Sequence, residues 1–249
     1  MTLVGNMPRF FVDSVSGNTI SIRGNDAYHI GRSLRMRIGD IITVCADRVE
    51  YRAKILSISD KEVVCDVLSA EKSENEPTVN VVLYQALPKS DKMDLIVQKA
   101  VELGVYKIVP VITARCVSRP AKSGYEKRVE RYNKIALEAA KQSGRGIVPT
   151  VSEFMTVNEV IEKSKEFDLF FVPYECEEQK ILKEILTSKS DVKSVGFVIG
   201  PEGGFDLSET EKLHSSGIDT VTLGKRILRT ETAGEAVLAM TMYEIGDIN

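Results

Sequence analysis

Histidine and cysteine are scarce in this chain, and their spacing excludes the common metal sites. Only His29 and His214 occur, and the four cysteines, Cys45, Cys65, Cys116 and Cys176, form no Cys-x-x-Cys pair. Zinc-ligand spacing is absent, so no metal site is expected. A chain of 249 residues can close a core without disulfide staples, and scattered thiols fit a reducing cytoplasm. No apolar run reaches membrane-spanning length and no apolar signal core lies near the N-terminus, which argues against export and membrane insertion. The stretch "MTLVGN" before Met7 reads as a leader of little structural weight. Basic residues are not in excess: a formal net charge of -3 excludes a wholly basic nucleic-acid coat and leaves a local basic face open.

What is present is the composition of a globular chain, with 43% hydrophobic and 28% charged residues. From Phe10 to Ala70 the segments are short and β-like, among them "RFFVD", "TISIRG", "DIITVCA" and "KEVVCDVLSA", with turn residues between them. This predicts a small barrel-like β domain over residues 1–72. Within it "DAYHIGRSLRMRIGD" places Ile30 and Leu34 four apart and closes on Gly39, as a short helix does. The acidic, Pro-terminated stretch from Glu71 to Thr78 reads as a linker. Over residues 78–249 strand-like runs such as "VNVVLYQAL", "DLFFVP" and "VGFVIG" alternate with helical patterns, which predicts an α/β domain with a mostly parallel sheet.

Two loops carry the chemistry. "VGFVI" runs straight into Gly200-Pro201-Glu202-Gly203-Gly204, and Ser208 with Glu211 has capping-box spacing for a following helix. In parallel sheets, ligands collect at such carboxyl ends. A phosphate is disfavoured, since there is no Gly-x-x-x-x-Gly-Lys-Ser/Thr and no Gly-x-Gly-x-x-Gly, and the Glu202 carboxylate repels anions. A neutral or cationic ligand fits better. Downstream, Thr232 and Glu235 place a second helix start near Ala233, leaving Leu223 to Glu231 irregular. Ile227 and Leu228 in that stretch either wall a flat ligand such as an adenine ring or pack under a turn.

These residues resemble a known family. "IGPEGGF" followed by "LGKRILRTETA", with "QKAVELGV" and "EAAKQSGRGIVP" upstream and "MPRFFV" and "HIGRSLRMRIGD" in the first domain, is similar to the RsmE family of small-subunit ribosomal RNA uridine N3-methyltransferases in the SPOUT superfamily. The resemblance covers nearly the whole chain. It implies a PUA-like N-terminal domain, a second domain with a deep C-terminal trefoil knot, a homodimer, and S-adenosylmethionine bound in the knot. It further implies a uridine in the decoding region of 16S ribosomal RNA as target, within the assembled small subunit, and a cytoplasmic location. Matched loops give Pro173, Ile199, Gly200, Gly204, Leu223, Gly224, Ile227, Leu228 and Thr230 as the cofactor's contacts.

Uridine N3 must lose its proton before it attacks a methyl group, leaving charge on O2 and O4. A cation or donor facing those oxygens lowers that cost, and a base takes the proton. Arg229 is the candidate for the first role and Glu202 or Glu231 for the second. The alternatives are a salt bridge from Arg229 to one of these glutamates, and capping or bracing by the glutamates. For RNA phosphates the candidates are Arg9, Arg32 and Arg35, the last two three apart on the short helix, together with Gln142 and Arg145. A solvated charged face, or capping of the last helical carbonyls by Arg145, is the competing reading. Transfer RNA methylation, a non-catalytic RNA-binding factor and a nucleotide-dependent dehydrogenase are weaker functional alternatives.

Overall fold

Residues 7–248 are described by the computed structural model, so the leader reading of "MTLVGN" lies outside the described residues. The chain divides into two compact units. The first comprises residues up to Glu76 together with Ala140–Val148, and the second Pro77–Ala139 and the residues from Pro149 onward.

In the first unit, period-two alternation sets the sheet. Strand β2 (Thr19–Arg23) turns Ile20 and Ile22 inward and Thr19, Ser21 and Arg23 outward. Strands β1 (Arg9–Phe11), β3 (Ile41–Ala46), β4 (Val49–Ile58) and β5 (Glu62–Lys72) complete five strands in the order β1-β3-β4-β5-β2. Register shifts between Arg52 and Ala53 and between Ile55 and Ser57 bulge the β4–β5 pair and bend it. Among the described residues no pairing joins β1 to β2, so the expected barrel is an open, curled sheet around Phe10, Ile20, Ile30, Ile42, Val44 and Ile55.

The expected single helix is broken here. Helix α1 (Asn25–Tyr28) widens into a π turn over His29–Ser33. Ile30 is fully buried, whereas Leu34 is 40% exposed. Gly31 lets the turn lie on β4, since a Cβ there would come within 3.2 Å of Ile58. Arg35 falls beyond the helical turn at φ 52. It therefore does not share a helix face with Arg32.

The stretch read as a linker is partly structural. Glu71 and Lys72 end β5, and the Glu76 carboxylate is buried, accepting from the Arg145 guanidinium (2.8 and 2.9 Å) and from the Gly146 and Ile147 amides. This contact accounts for the return of Ala140–Val148 to the first unit.

The second unit holds β6 (Asn80–Ala86), β7 (Lys107–Ile112), β8 (Thr150–Val151), β10 (Leu169–Pro173), β11 (Ser194–Ile199) and β12 (Asp219–Val221) in the order β12-β10-β11-β6-β7-β8, with β9 (Met155–Thr156) also on β7. All these pairings are parallel. β6 to β8 run outward one way and β10 to β12 lie on the other side, so the order reverses between β6 and β11. Such a switch point opens a crevice at the strand ends. Helices α2 (Lys92–Glu102), α3 (Tyr125–Ser143), α4 (Val157–Ser164), α5 (Leu182–Leu186), α6 (Leu207–Ser215) and α7 (Thr230–Ile245) alternate with the strands. In α2 the predicted stripe of Met93, Ile96, Val97, Ala100 and Val101 is buried, and Gly104 ends the segment at φ 92.

Two helix starts differ from the expected ones. α6 is capped by Asp206 and Glu209 instead of Ser208 and Glu211, because Glu209 also accepts the Ala114 amide and is held there. α7 begins at Thr230, whose hydroxyl is tied to Gly200, so the Thr232–Glu235 spacing does not start it.

Candidate active site

The loops after β10, β11 and β12 converge on one cavity of about 1020 Å³. Pro173, Ile199, Gly200, Gly204, Leu223, Gly224, Ile227, Leu228 and Thr230 all line it, as do Glu202 and Arg229. Backbone conformation explains the glycines that matter most. Gly204 closes its loop at φ 65 with its N–H on the Pro201 carbonyl (2.9 Å), and a Cβ there would strike Glu175 Oε1 at 2.7 Å. Gly224 stands at φ 95 with open space where a Cβ would be, which leaves main chain bare to the cavity. Ile227 is 88% exposed at the cavity edge, so it does not pack under a turn. Thr230 Oγ1 donates to the Gly200 carbonyl (2.6 Å) and binds the β11 loop to the start of α7.

The charged groups form an arrangement that local sequence did not reveal. Lys92, in the first turn of α2, reaches Glu202 Oε1 at 3.3 Å and Glu231 Oε2 at 3.1 Å. Glu202 also accepts the Lys89 amide at 3.1 Å. Burial alone would raise both carboxyls, but amide donors and the Lys92 ammonium outweigh it and hold both below the usual range. The Glu231 carboxylate, joined by Glu202, holds the Lys92 ammonium above its ordinary value. Glu231 itself does not line the cavity; it is present through Lys92. Arg229 is exposed on the rim and, among the described residues, makes no side-chain hydrogen bond or ion pair. The salt bridge considered for it is made by Lys92 instead. A lysine in the first turn opposes the helix dipole, which was the one available sign that it needed acidic partners. Glu175, Glu177 and Glu178 add carboxylates to the β10 side of the cavity.

The candidate RNA contacts lie in the first unit, apart from one another in role. Arg9 donates to Glu50 (2.9 Å) and to the Arg145 carbonyl (3.0 Å), and Arg145 is buried on Glu76. In the folded unit both side chains act as internal braces. Arg32 is exposed but forms a two-pronged pair with Asp60, both contacts at 3.0 Å. Arg35 and Gln142 are exposed. Among the described residues no group of three or more His, Cys, Asp or Glu side chains is placed to hold a metal ion, and no helix is long and apolar enough to cross a membrane.

Comparison with known proteins agrees with this architecture. Residues 74–242 match the RNA methyltransferase domain family, and residues 22–68 match the RNA methyltransferase PUA domain. The chain is 34% identical to the ribosomal RNA small subunit methyltransferase E of Bacillus subtilis strain 168, covering 96% of this chain and 97% of that protein. It is 31% identical to the protein of the same name from Mesomycoplasma hyopneumoniae strain 232, over 91% and 95% of the two chains. A crystal structure of ribosomal RNA small subunit methyltransferase E from Neisseria gonorrhoeae bound to S-adenosyl methionine superimposes with a TM-score of 0.87 at 32% identity, covering 98% of this chain and all of that one. A cavity walled by three strand-end loops, in a unit matched along its length by these proteins, places the chain in the RNA methyltransferase family, among the ribosomal RNA small subunit methyltransferase E proteins.

Proposed function

We propose that this chain methylates N3 of a uridine in the decoding region of 16S ribosomal RNA, using S-adenosylmethionine, in the cytoplasm and on the assembled small subunit. The observation that carries the reading is the cavity built from the loops after β10, β11 and β12 at the switch point of the parallel sheet. The residues present fit the cofactor. Bare main chain at Gly224 with Ile227 and Leu228 suits a flat, apolar adenine face, and the carboxylates of Glu175, Glu178 and Glu202 suit a positively charged sulfonium. When bound, the cofactor supplies an electrophilic methyl carbon.

The chain's own residues would position and discharge the base. Arg229, exposed and lining the cavity, is suited to stabilise negative charge on the uracil oxygens as N3 loses its proton. Glu202 and Glu231 are ionised near neutral pH, as a base requires, while Lys92 weakens each as a proton acceptor. Target unstacking and grip on the RNA fall to the first unit, where Arg32 and Arg35 are the exposed candidates. The reading includes a deep trefoil knot through the loops after β11 and β12, supported by the reversed strand order, and a homodimer, supported by exposed Leu95, Met240 and Tyr243 on α2 and α7.

The test is methyl incorporation from labelled S-adenosylmethionine into small subunits lacking the modification, followed by mapping of the modified base. A single N3-methyluridine in the decoding region is the expected product. Incorporation into transfer RNA alone, or none despite cofactor binding, would overturn the assignment.

A further inference from the structure

β6 is the central strand at the switch point, and its residues "VVLYQA" are buried on both faces. One polar amide stands in that apolar run. Gln85 is fully buried, paired in register with Ile199 of β11 on one side and Pro110 of β7 on the other. A buried amide is unfavourable unless its groups are bonded, so an apolar residue of the same size would serve packing better. Its Nε2 donates to the Ala86 carbonyl (3.0 Å) and to Thr230 Oγ1 (2.9 Å). Its Oε1 is buried and, among the described residues, has no partner.

These contacts fix the direction of a relay. Because Thr230 Oγ1 accepts from Gln85, its own proton goes to the Gly200 carbonyl at 2.6 Å. A reversed amide would set its oxygen against the Ala86 carbonyl and would offer the single Thr230 proton two acceptors. Gly234 of α7 passes so close that a Cβ there would stand 3.3 Å from Gln85 Oε1. Gln85 is fully buried, so bulk water does not reach this oxygen, while Nε2 makes two bonds on the other side. Gly200 and Thr230 both line the cavity; Gln85 does not.

We propose that Gln85 is a positioning residue for the cofactor site: by orienting the Thr230 hydroxyl it locks the Gly200 carbonyl to the first turn of α7 and sets the spacing of two cavity walls. The proposal rests on the reading of this cavity as the S-adenosylmethionine site. It makes an unusual pair of demands on one substitution. Gln85→Leu removes an unpaired buried oxygen together with two donated hydrogen bonds, so the melting temperature of the free protein changes only modestly, while its cofactor affinity falls by about tenfold, the scale of one lost hydrogen bond. A residue that served packing alone would change stability and leave affinity alone.

The test is calorimetric titration of wild type, Gln85→Leu, Thr230→Val, Thr230→Ser and the Gln85→Leu/Thr230→Val double variant with S-adenosylmethionine, alongside melting temperatures without ligand. Equal losses in the two single variants, no further loss in the double, and near wild-type binding by Thr230→Ser are expected, since both single changes break the same relay. Gln85→Met replaces Gln85→Leu if the latter does not fold. Additive losses, or wild-type affinity in the Gln85 variant, would overturn the relay and leave the cofactor reading standing. Absence of binding by the wild type would overturn the cofactor reading and the relay with it.

Discussion

Lys92 and Glu231, 139 positions apart in the chain, meet at 3.1 Å, and the same ammonium reaches Glu202 at 3.3 Å. One cation thus joins the first turns of α2 and α7 and the loop after β11. Lys92→Met releases both carboxylates, and their pKa values rise from the depressed range. If either is the proton acceptor, activity requires its ionised form, so the acidic limb of the methylation rate moves to higher pH in Lys92→Met. A limb that stays in place in this variant excludes both glutamates as the base.

Arg229 lines the cavity and, among the described residues, makes no side-chain hydrogen bond or ion pair, so its removal leaves the walls intact. Arg229→Ala should keep cofactor affinity in a calorimetric titration while methylation slows by roughly 100-fold, the scale of one lost charge-stabilising donor. Unchanged turnover removes Arg229 from the chemistry.

Gly224 has open space before it and a left-handed backbone at φ 95. Gly224→Trp should abolish both cofactor binding and methylation by filling the cavity, with the circular dichroism of the fold retained because the loop is exposed. Retained binding would place the ligand elsewhere.

Arg32 and Arg35 are the exposed arginines among the candidate RNA contacts, though Arg32 is already matched by Asp60. Arg32→Glu with Arg35→Glu should weaken RNA binding without touching cofactor affinity. The slope of log affinity against log salt should fall by roughly one to two, one phosphate contact per cation. An unchanged slope moves the grip to another surface.

Glu177 is held at about 2, against an ordinary 4.5, by the Thr220 hydroxyl and then by the Gln179 and Lys180 amides. A carboxylate whose folded value is depressed contributes stability above its unfolded value and loses it as pH falls through the folded one. Urea midpoints should therefore decline from pH 4.5 towards 2, and Glu177→Gln should decline less steeply over that window. Parallel curves would assign the acid sensitivity to other groups.

The cavity walls were legible because their signals are local: glycines, a proline and apolar residues in loops directly after apolar strands. The sheet was legible from the alternation of strand and helix patterns. Partners distant in sequence were not. Nothing around Lys92 names Glu202 or Glu231, and nothing in "VVLYQA" tells that Gln85 meets Thr230, 145 positions away. Local rules also misled where two fits overlapped. Asp206 and Ser208 both offer capping spacing, and the Ala114 amide on Glu209 selected the first. Arg9 and Arg145 read as surface cations because their carboxylate and carbonyl partners, Glu50, Glu76 and the Arg145 main chain, come together only in the folded unit.

The pairing of Glu76 with Arg145 also orders events during synthesis. Glu76 emerges from the ribosome with its carboxylate unpaired, and the Arg145 carbonyl that receives Arg9 does not yet exist. The first unit therefore stays unfinished while β6, α2, β7 and most of α3 are made, and closes only once residues 140–148 are out. No single cut in the chain separates the two units whole, and an N-terminal fragment ending at Glu76 lacks the Arg145, Gly146 and Ile147 donors that its carboxylate meets in the folded unit.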